Sequence, residues 1–233
     1  QCSQLAKYPP VFSHLFPLPG TIPGRPAVAA RPGMAYVDSW SGPLAGRPDR
    51  HLVAGPTALT SSEPQTMIRI ISGGQTGADQ AALDAAIALG LPHGGWLPRG
   101  RKTESGPLPP HYALRELRSA RYRDRTEKNV RAADGTLICS FGPLGRGSAL
   151  TEALAIRHDR PLLPIDFDHT PVARAVVVVE RWLHAHRIAT LNVAGPRASS
   201  EPRIHAAVFA LLTAVDWSSL AAALHKHLLE EQA

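Results

Sequence analysis

From Met67 onward, apolar positions along the chain alternate between two spacings, and this alternation predicts an α/β fold. Short apolar runs typical of strands lie at 67–72, 93–98, 135–141, 161–166 and 189–195. Between these runs, apolar residues recur every three or four positions, which is the period of an amphipathic helix. Five strands that alternate with helices predict a doubly wound, mostly parallel, five-stranded sheet.

The helices in this alternation are placed by their apolar stripes and by the residues that end them. Gly90 is placed to end the first helix, because glycine readily adopts the left-handed conformation that commonly follows a helix. Four consecutive valines near residue 177 would alone favour a strand, but Val172, Val176 and Val179 recur at helical spacing. The segments predicted to be helical are 79–90, 125–134, 148–158, 171–187, 201–215 and a capped tail that starts at Ser218.

Residues 1–66 show neither spacing, and their composition separates them from the rest of the chain. They contain 11 of the 22 prolines, and each proline removes a backbone donor and clashes with the preceding turn of a helix. We therefore expect a disordered, proline-rich leader at 1–66 and a single ligand-binding domain at 67–233. Because Met67 lies directly before the first strand, we expect the domain to begin there, and the leader to add nothing to folding or ligand binding.

The charge balance does not indicate a nucleic-acid surface. The formal net charge is only +6, and the densest basic stretch, residues 115–125, also contains acids, which is typical of a solvated helix face. No run approaches the roughly 18 apolar residues that a membrane span needs. The start of the chain also lacks the charged and apolar segments of a secretory signal. We predict neither nucleic acid nor membrane as a partner.

The two cysteines, Cys2 and Cys139, do not form a disulfide framework within the predicted domain. This pattern fits a reducing, cytoplasmic setting. Histidines occur in pairs two residues apart on predicted helices, where the two side chains face different ways, so no metal site is predicted. These pairs are His184 with His186 and His225 with His227.

Two strands run directly into glycine-rich loops, at the strand ends where parallel sheets bind ligands. The first loop is Gly73-Gly74-Gln75-Thr76-Gly77. Its glycines allow backbone N–H groups to turn toward an anion, and a helix N-terminus follows them. The loop lacks the Lys-Ser/Thr ending of a Walker A motif and does not match G-x-G-x-x-G. Asp79, at the start of that helix, either caps the helix or accepts a hydrogen bond from a ligand hydroxyl.

The second glycine loop, residues 142–147, repeats this arrangement. Gly145 and Gly147 lie just before the next helix, and Arg146 between them is well placed for an anion. Ser148 takes the predicted N-cap position, where it serves either as a cap or as a ligand donor. Two such loops at strand ends in one small domain favour a ligand site.

A charged segment between the two loops supplies further candidate ligand contacts. Its glycines and prolines predict a loop at 99–110, which contains Arg99, Arg101 and Glu104. These charged residues either serve only the solubility of the surface or form a cationic wall over the crevice between the two glycine loops. Arg125 and Asn129 are four residues apart on a predicted helix and therefore share a face.

Several of these segments recur together in a recognisable order. They read ISGGQTGADQAAL, GGWLPRGRKTESGPLP, YALREL, YRDRTEKNVRAADGTLI and GRGSALTEALA. In this order they resemble the molybdenum-carrier family, the circularly permuted YpsA branch of a superfamily of Rossmann-like domains, from Met67 to Asp216. The resemblance implies a Rossmann-like domain that binds a phosphorylated pterin or nucleotide-like ligand, taken to be the molybdenum cofactor in the carrier members.

The sequence departs from the related patterns at two positions. Leu97 stands where the family pattern leads us to expect a cysteine, which weakens any argument from a thiol near the ligand. The superfamily also resembles phosphoribohydrolases that release cytokinins from nucleotides, whose G-G-x-G-T-x-x-E loop carries a catalytic glutamate. Thr151, which we count among the residues expected to contact the ligand, holds the place of that glutamate, and Glu152 lies one residue later, about 100° around the helix.

Three functions follow from these observations. The first, which we rank highest, is a carrier that binds a phosphate-bearing cofactor at the two loops, with Arg99, Arg101 and Arg125 donating charge-assisted hydrogen bonds. The second is a hydrolase of nucleoside monophosphates with Glu104 or Glu152 as general acid or base. The third is a nucleotide-sensing module. A homo-oligomer is also expected, from an apolar stripe on the tail helix formed by Leu220, Leu224 and Leu228.

Overall fold

A computed structural model describes residues 67–231, in which a parallel sheet is flanked by six helices. In chain order the strands are β1 (Arg69–Ile71), β2 (His93–Gly94), β3 (Trp96–Leu97), β4 (Lys102–Thr103), β5 (Gly106–Pro107), β6 (Arg115–Glu116), β7 (Gly135–Ser140), β8 (Leu162–Asp166) and β9 (Thr190–Ala194). The main sheet has five strands in the order β2-β1-β9-β7-β8, and every pair in it is parallel. Each of its strands lies within a run predicted from the sequence, which confirms the fold class.

The strand order contains a point at which the chain changes direction. From β1 the chain moves outward to β2, and from β7 it moves outward to β8 on the other side. The last strand, β9, fills the gap, with Leu191 opposite Ile70 on one side and Val193 opposite Leu137 on the other. The loops after β1 and β7 therefore leave the same edge of the sheet on either side of β9, which is where such folds bind ligands.

The helices divide into two groups that build separate cores. In chain order they are α1 (Ala78–Ala88), α2 (Tyr122–Ala132), α3 (Arg146–Arg157), α4 (Val172–Ala185), α5 (Ile204–Ala214) and α6 (Trp217–Glu230). The larger core contains side chains of α1, α4, α5 and α6, and in α5 the side chains of Ile204, Val208 and Leu211 are fully buried. Helices α2 and α3 pack on each other around a smaller core at Val130 and Leu154.

The connection between β2 and α2, residues 95–121, is more ordered than its composition predicts. The predicted strand at 93–98 is divided at Gly95, which has a φ of 121°, and its second half, β3, pairs with β6 outside the main sheet. The predicted loop at 99–110 contains a small antiparallel hairpin, β4–β5. Leu97, Leu108, Tyr112 and Leu114 of this connection pack with Leu83 of α1. This packing brings the connection over the first glycine loop.

Two predictions of where a helix begins were wrong. Helix α3 begins at Arg146 with Gly145 as its N-cap, so Ser148 lies inside the first turn and is not the cap. The tail helix begins at Trp217 because Asp216 caps it, accepting a hydrogen bond from the backbone N–H of Ser219. The predicted end of α1 is confirmed, since Gly90 follows it with a φ of 67°.

Three predictions, on the leader, on a membrane span and on the oligomer, are not settled by the bounds of the helices and strands. The leader at 1–66 lies outside the described residues. In the described part of the chain no single helix is long and apolar enough to cross a membrane, and one bent pair, α5 with α6, passes that test of length and composition jointly. Of the predicted oligomer stripe, Leu220 and Leu224 pack on the protein's own core, and Leu228 is 41% exposed.

Candidate functional site

The glycines of the first loop allow three neighbouring segments to approach closely. A side chain at Gly73 would overlap the guanidinium of Arg125, and one at Gly74 would overlap Leu108. At Gly77 a Cβ atom would lie 2.6 Å from the carbonyl oxygen of Pro196. Close packing is therefore by itself a reason for glycine at these positions. The anion-binding role predicted for residues 73–77 stays a prediction.

Asp79 and Arg125 form a buried ion pair beneath this loop. Arg125 Nη1 lies 2.9 Å from Asp79 Oδ2, and the two side chains are 13% and 5% exposed. The same carboxylate oxygen accepts a hydrogen bond from the backbone N–H of Gln75 at 3.2 Å. Burial raises the pKa of Asp79, and Arg125 and the Gln75 N–H oppose this shift by favouring the charged form. Arg125 Nε is buried and has no hydrogen-bond partner among the described residues.

Glu104, at the tip of the β4–β5 hairpin, joins the first loop to the segment after β9. Its carboxylate accepts hydrogen bonds from the Thr76 hydroxyl, from the backbone N–H of Ser199 at 3.2 Å and from the Ser199 hydroxyl. Arg197 Nη1 lies 3.7 Å from the same carboxylate. Desolvation opposes ionisation, but the hydrogen bonds from Ser199 and Thr76, with the charge of Arg197, lower the pKa of Glu104.

Gln75 and Asn129 are used in holding the backbone of the β2–α2 connection. Gln75 Oε1 accepts from the backbone N–H groups of Glu104 at 2.9 Å and Thr76 at 3.0 Å. The Asn129 side chain accepts from the Trp96 N–H at 2.9 Å and donates to the Trp96 carbonyl at 3.0 Å. Both side chains therefore hold the β2–α2 connection against neighbouring segments of the chain through hydrogen bonds.

The second loop differs from the first because the two glycines on either side of Arg146 face open space. A Cβ atom at Gly145 or Gly147 would meet no atom within 4 Å, and no side chain caps the N-terminus of α3. Arg146 is exposed there, whereas Ser148 and Thr151 are buried. Thr151 donates its hydroxyl hydrogen bond back to the carbonyl of Gly147 at 3.2 Å, and Glu152 is partly exposed one residue later. An anion can therefore reach the N–H groups of this helix.

Two arginines of the predicted cationic wall have different surroundings. Arg101 has a φ of 51°, and its guanidinium donates to the carbonyls of Leu108, Pro109, Tyr112 and Leu114 at 2.8 to 3.4 Å. It therefore organises the β2–α2 connection from inside. Arg99 is exposed, and no hydrogen bond of its side chain to another described residue is present. Of the two, Arg99 has the guanidinium available to a ligand.

We expect Arg101→Ala to lower the free energy of unfolding by about 2 kcal/mol, because it leaves several carbonyls without their charged donor. Arg99→Ala is the matched control and should change stability by less than about 0.5 kcal/mol. Urea titration of both variants measures the difference. Equal stability of the two would contradict the structural role of Arg101.

Sequence reasoning missed several residues at this edge of the sheet. Arg197 and Ser199 follow β9 and reach Glu104 across 93 and 95 positions of sequence, and no local motif marks them. Arg203 lies over the ring of Phe141, with its guanidinium carbon 3.9 Å from the ring centroid. Hydrogen bonds from Arg203 lower the pKa of Glu201 to about 2.

No cysteine thiolate is offered to a ligand by the described residues. Cys139 is fully buried, and burial raises the pKa of its thiol to about 12. Leu97, at the position where a cysteine was expected from the resemblance, is 1% exposed and packs in the core of the β2–α2 connection.

Comparisons with known proteins identify a solved structure with a similar fold and a family that matches most of the domain. A protein from Syntrophus aciditrophicus SB, named "Putative molybdenum carrier protein", has a crystal structure similar to this one, with a TM-score of 0.62 and 49% sequence identity. The similarity covers 64% of this chain and 94% of that one. No curated protein sequence shows significant similarity. The family described as "Circularly permutated YpsA SLOG family" matches residues 70–216, and because this match spans more than half of the chain, the protein belongs to that family.

Proposed function

We propose that this protein is a carrier that binds the molybdenum cofactor, or a closely related phosphate-bearing pterin, at the carboxyl edge of its sheet. The observation that carries the proposal is the similarity to a solved protein named as a molybdenum carrier, over 94% of that protein's length. The open N-terminus of α3 supports it, because unbonded helix N–H groups and the positive end of the helix dipole attract phosphate.

The residues present fit the phosphate end of such a ligand. Gly145 and Gly147 leave room above the helix for an anion, and Arg146 adds a charged donor that has no described partner. In residues 67–231 no group of three or more His, Cys, Asp or Glu side chains is placed to hold a metal ion. When bound, the cofactor would supply the molybdenum centre, and this chain would supply the phosphate contacts, orientation and shelter.

The hydrolase alternative is weakened for one of its two candidate residues, Glu104, in the role of general acid. A general acid must carry a proton at the working pH, but hydrogen bonds from Ser199 and Thr76 lower the pKa of Glu104 despite its desolvation. Its carboxylate is also taken up by Thr76, Ser199 and Arg197. A carrier needs no such proton transfer, so the binding function suits this geometry better.

The proposal is tested on protein purified from a molybdenum-replete host and from a molybdenum-depleted one. Native mass spectrometry and elemental analysis should find a pterin phosphate with molybdenum in the first preparation and less in the second. Absence of pterin, nucleotide and molybdenum from every preparation, together with no binding when the cofactor is added, would overturn the proposal.

We expect Gly147→Asp to weaken binding of the phosphate-bearing ligand about 10-fold or more, because a carboxylate in the first turn of α3 repels the phosphate. The substitution should leave stability almost unchanged, since nothing lies within 4 Å of the new Cβ atom and an acid near a helix N-terminus is favourable. Ala153→Asp, on an exposed position of the same helix, is the control. Equal affinities of the two variants would place the phosphate elsewhere.

A further inference from the structure

The carboxylate of Glu104 is bound as an external anion would be. Its Oε1 accepts from the Thr76 hydroxyl and the Ser199 N–H, and its Oε2 accepts from the Ser199 hydroxyl and faces Arg197 Nη1. The Thr76 hydroxyl itself accepts from the Ala198 N–H at 3.2 Å, which leaves its own hydrogen directed to Glu104. Three hydrogen-bond donors and one cation thus converge on two oxygens, which is a recurrent way of binding an oxyanion.

The donors and the carboxylate belong to separate parts of the chain. Thr76 lies in the first glycine loop and Arg197 and Ser199 lie after β9, so both segments follow neighbouring strands of the main sheet. Glu104 reaches them from the tip of the hairpin. The positions of Thr76, Arg197 and Ser199 therefore depend on the hairpin only through their contacts with Glu104.

Few hydrogen bonds hold the tip of the β4–β5 hairpin in place. β4 and β5 pair over only two positions, Lys102 with Pro107 and Thr103 with Gly106. Among the described residues, the hydrogen bonds that tie the tip to the first loop and to the segment after β9 all involve Glu104, through its carboxylate and through its N–H to Gln75. An anion that took over these donors would release the tip while Arg101 still held the base of the connection.

We propose that Thr76, Arg197 and Ser199 form a second oxyanion site, which Glu104 occupies as an internal stand-in and which a tetrahedral oxyanion, a phosphate group or molybdate, enters by displacing it. Two oxygens of such an ion match the two carboxylate oxygens in number and charge. The site is distinct from the N-terminus of α3, and the inference does not depend on the cofactor proposal. The hairpin then opens when an anion binds and closes when it leaves.

The test removes the stand-in and supplies anions from outside. In Glu104→Ala, millimolar phosphate or molybdate should raise the melting temperature by about 5 °C or more, and the rise should grow with the logarithm of the anion concentration above Kd, as expected for a ligand that binds only the folded state. The wild-type protein should respond much less, because Glu104 competes. The triple variant Thr76→Val, Glu104→Ala, Ser199→Ala should lose the extra response. Glu116→Ala, which removes an acceptor only from the Gly100 N–H, should respond like wild type.

A second measurement uses the wild-type protein and is independent of the stability of any variant. Hydrogen exchange of the peptide covering residues 101–107 should accelerate when the anion is added, because the Glu104 N–H loses its bond to Gln75. Ribose 5-phosphate is compared with inorganic phosphate and molybdate: a response to the ester alone identifies a phosphorylated ligand as the source, and a response to the free ions identifies the ion itself. If Glu104→Ala gains no more than wild type and the exchange is unchanged, the site does not exist, whether or not the cofactor binds at α3.

Discussion

Replacing Arg125 by methionine is expected to lower the free energy of unfolding by about 3 to 5 kcal/mol at neutral pH, the range for breaking a buried ion pair. The guanidinium lies 2.9 Å from the carboxylate of Asp79, whose side chain is 5% exposed. Methionine keeps the unbranched aliphatic part of the side chain and removes the guanidinium, so we expect most of the loss to come from the buried charge that remains on Asp79. Urea unfolding monitored by circular dichroism measures the change.

The loss in Arg125→Met should depend on pH. Burial already raises the pKa of Asp79 in the folded protein, and Arg125 opposes that shift, so the variant raises this pKa further. A carboxyl whose folded pKa exceeds its unfolded value of about 3.9 binds more protons when folded. The contribution of the Asp79 carboxyl to the free energy of unfolding is therefore fully present below its unfolded pKa, and it is lost as pH rises through its folded pKa. The deficit of the variant should shrink when the pH is lowered from 8 toward 5.

A double-mutant cycle separates the charge from the packing. Asp79→Asn combined with Arg125→Met removes both charges, and we expect this protein to be more stable than Arg125→Met alone. Arg123→Met, on an exposed position of the same helix, should change stability by less than about 0.5 kcal/mol. If the double variant were as unstable as the single one at every pH, the buried charge of Asp79 would not be the cause.

The five strands of the main sheet were predictable because each is an apolar run between polar or glycine-rich segments. Leu137 and Ile138 are adjacent on β7, so their side chains point to opposite faces of the sheet, and both are fully buried, as a strand covered on both faces requires. The position of β9 between β1 and β7 was not stated in advance, since strand order depends on packing across the whole chain. The edge where the glycine loops meet was predictable all the same, because every parallel strand ends there.

The contacts of the individual site residues could not be read from the sequence, because most of them are made across long distances along the chain. Arg101 was grouped with Arg99 by its charge, yet the first is bonded to four carbonyls and the second is exposed. The two glycine loops look alike as sequence. Only the neighbours of each backbone show that Gly77 is crowded and that Gly147 is open.

Gly77→Ala should be among the most damaging single changes at the site, with a loss of about 3 kcal/mol or more in the free energy of unfolding. Its φ of 80° and ψ of −125° form a conformation that costs other residues about 1 to 3 kcal/mol. The new Cβ atom would also lie 2.6 Å from the Pro196 carbonyl oxygen and 2.7 Å from the Ala198 nitrogen, both of them backbone atoms that cannot turn aside. The segment after β9 must move, and the Ser199 contacts to Glu104 are expected to weaken with it.

Gly90→Ala provides the matched control, because Gly90 also has a positive φ, of 67°, but its Cβ position meets no atom within 4 Å. Conformational strain alone should cost this variant about 1 kcal/mol. For a domain of this size, each kcal/mol lowers the melting temperature by about 2 to 4 °C, so the two variants should differ clearly in thermal unfolding. The excess loss in Gly77→Ala measures how closely the segment after β9 is packed on the first loop. Equal melting temperatures would mean that this segment yields to the methyl group, and that the two loops are not rigidly joined at Gly77.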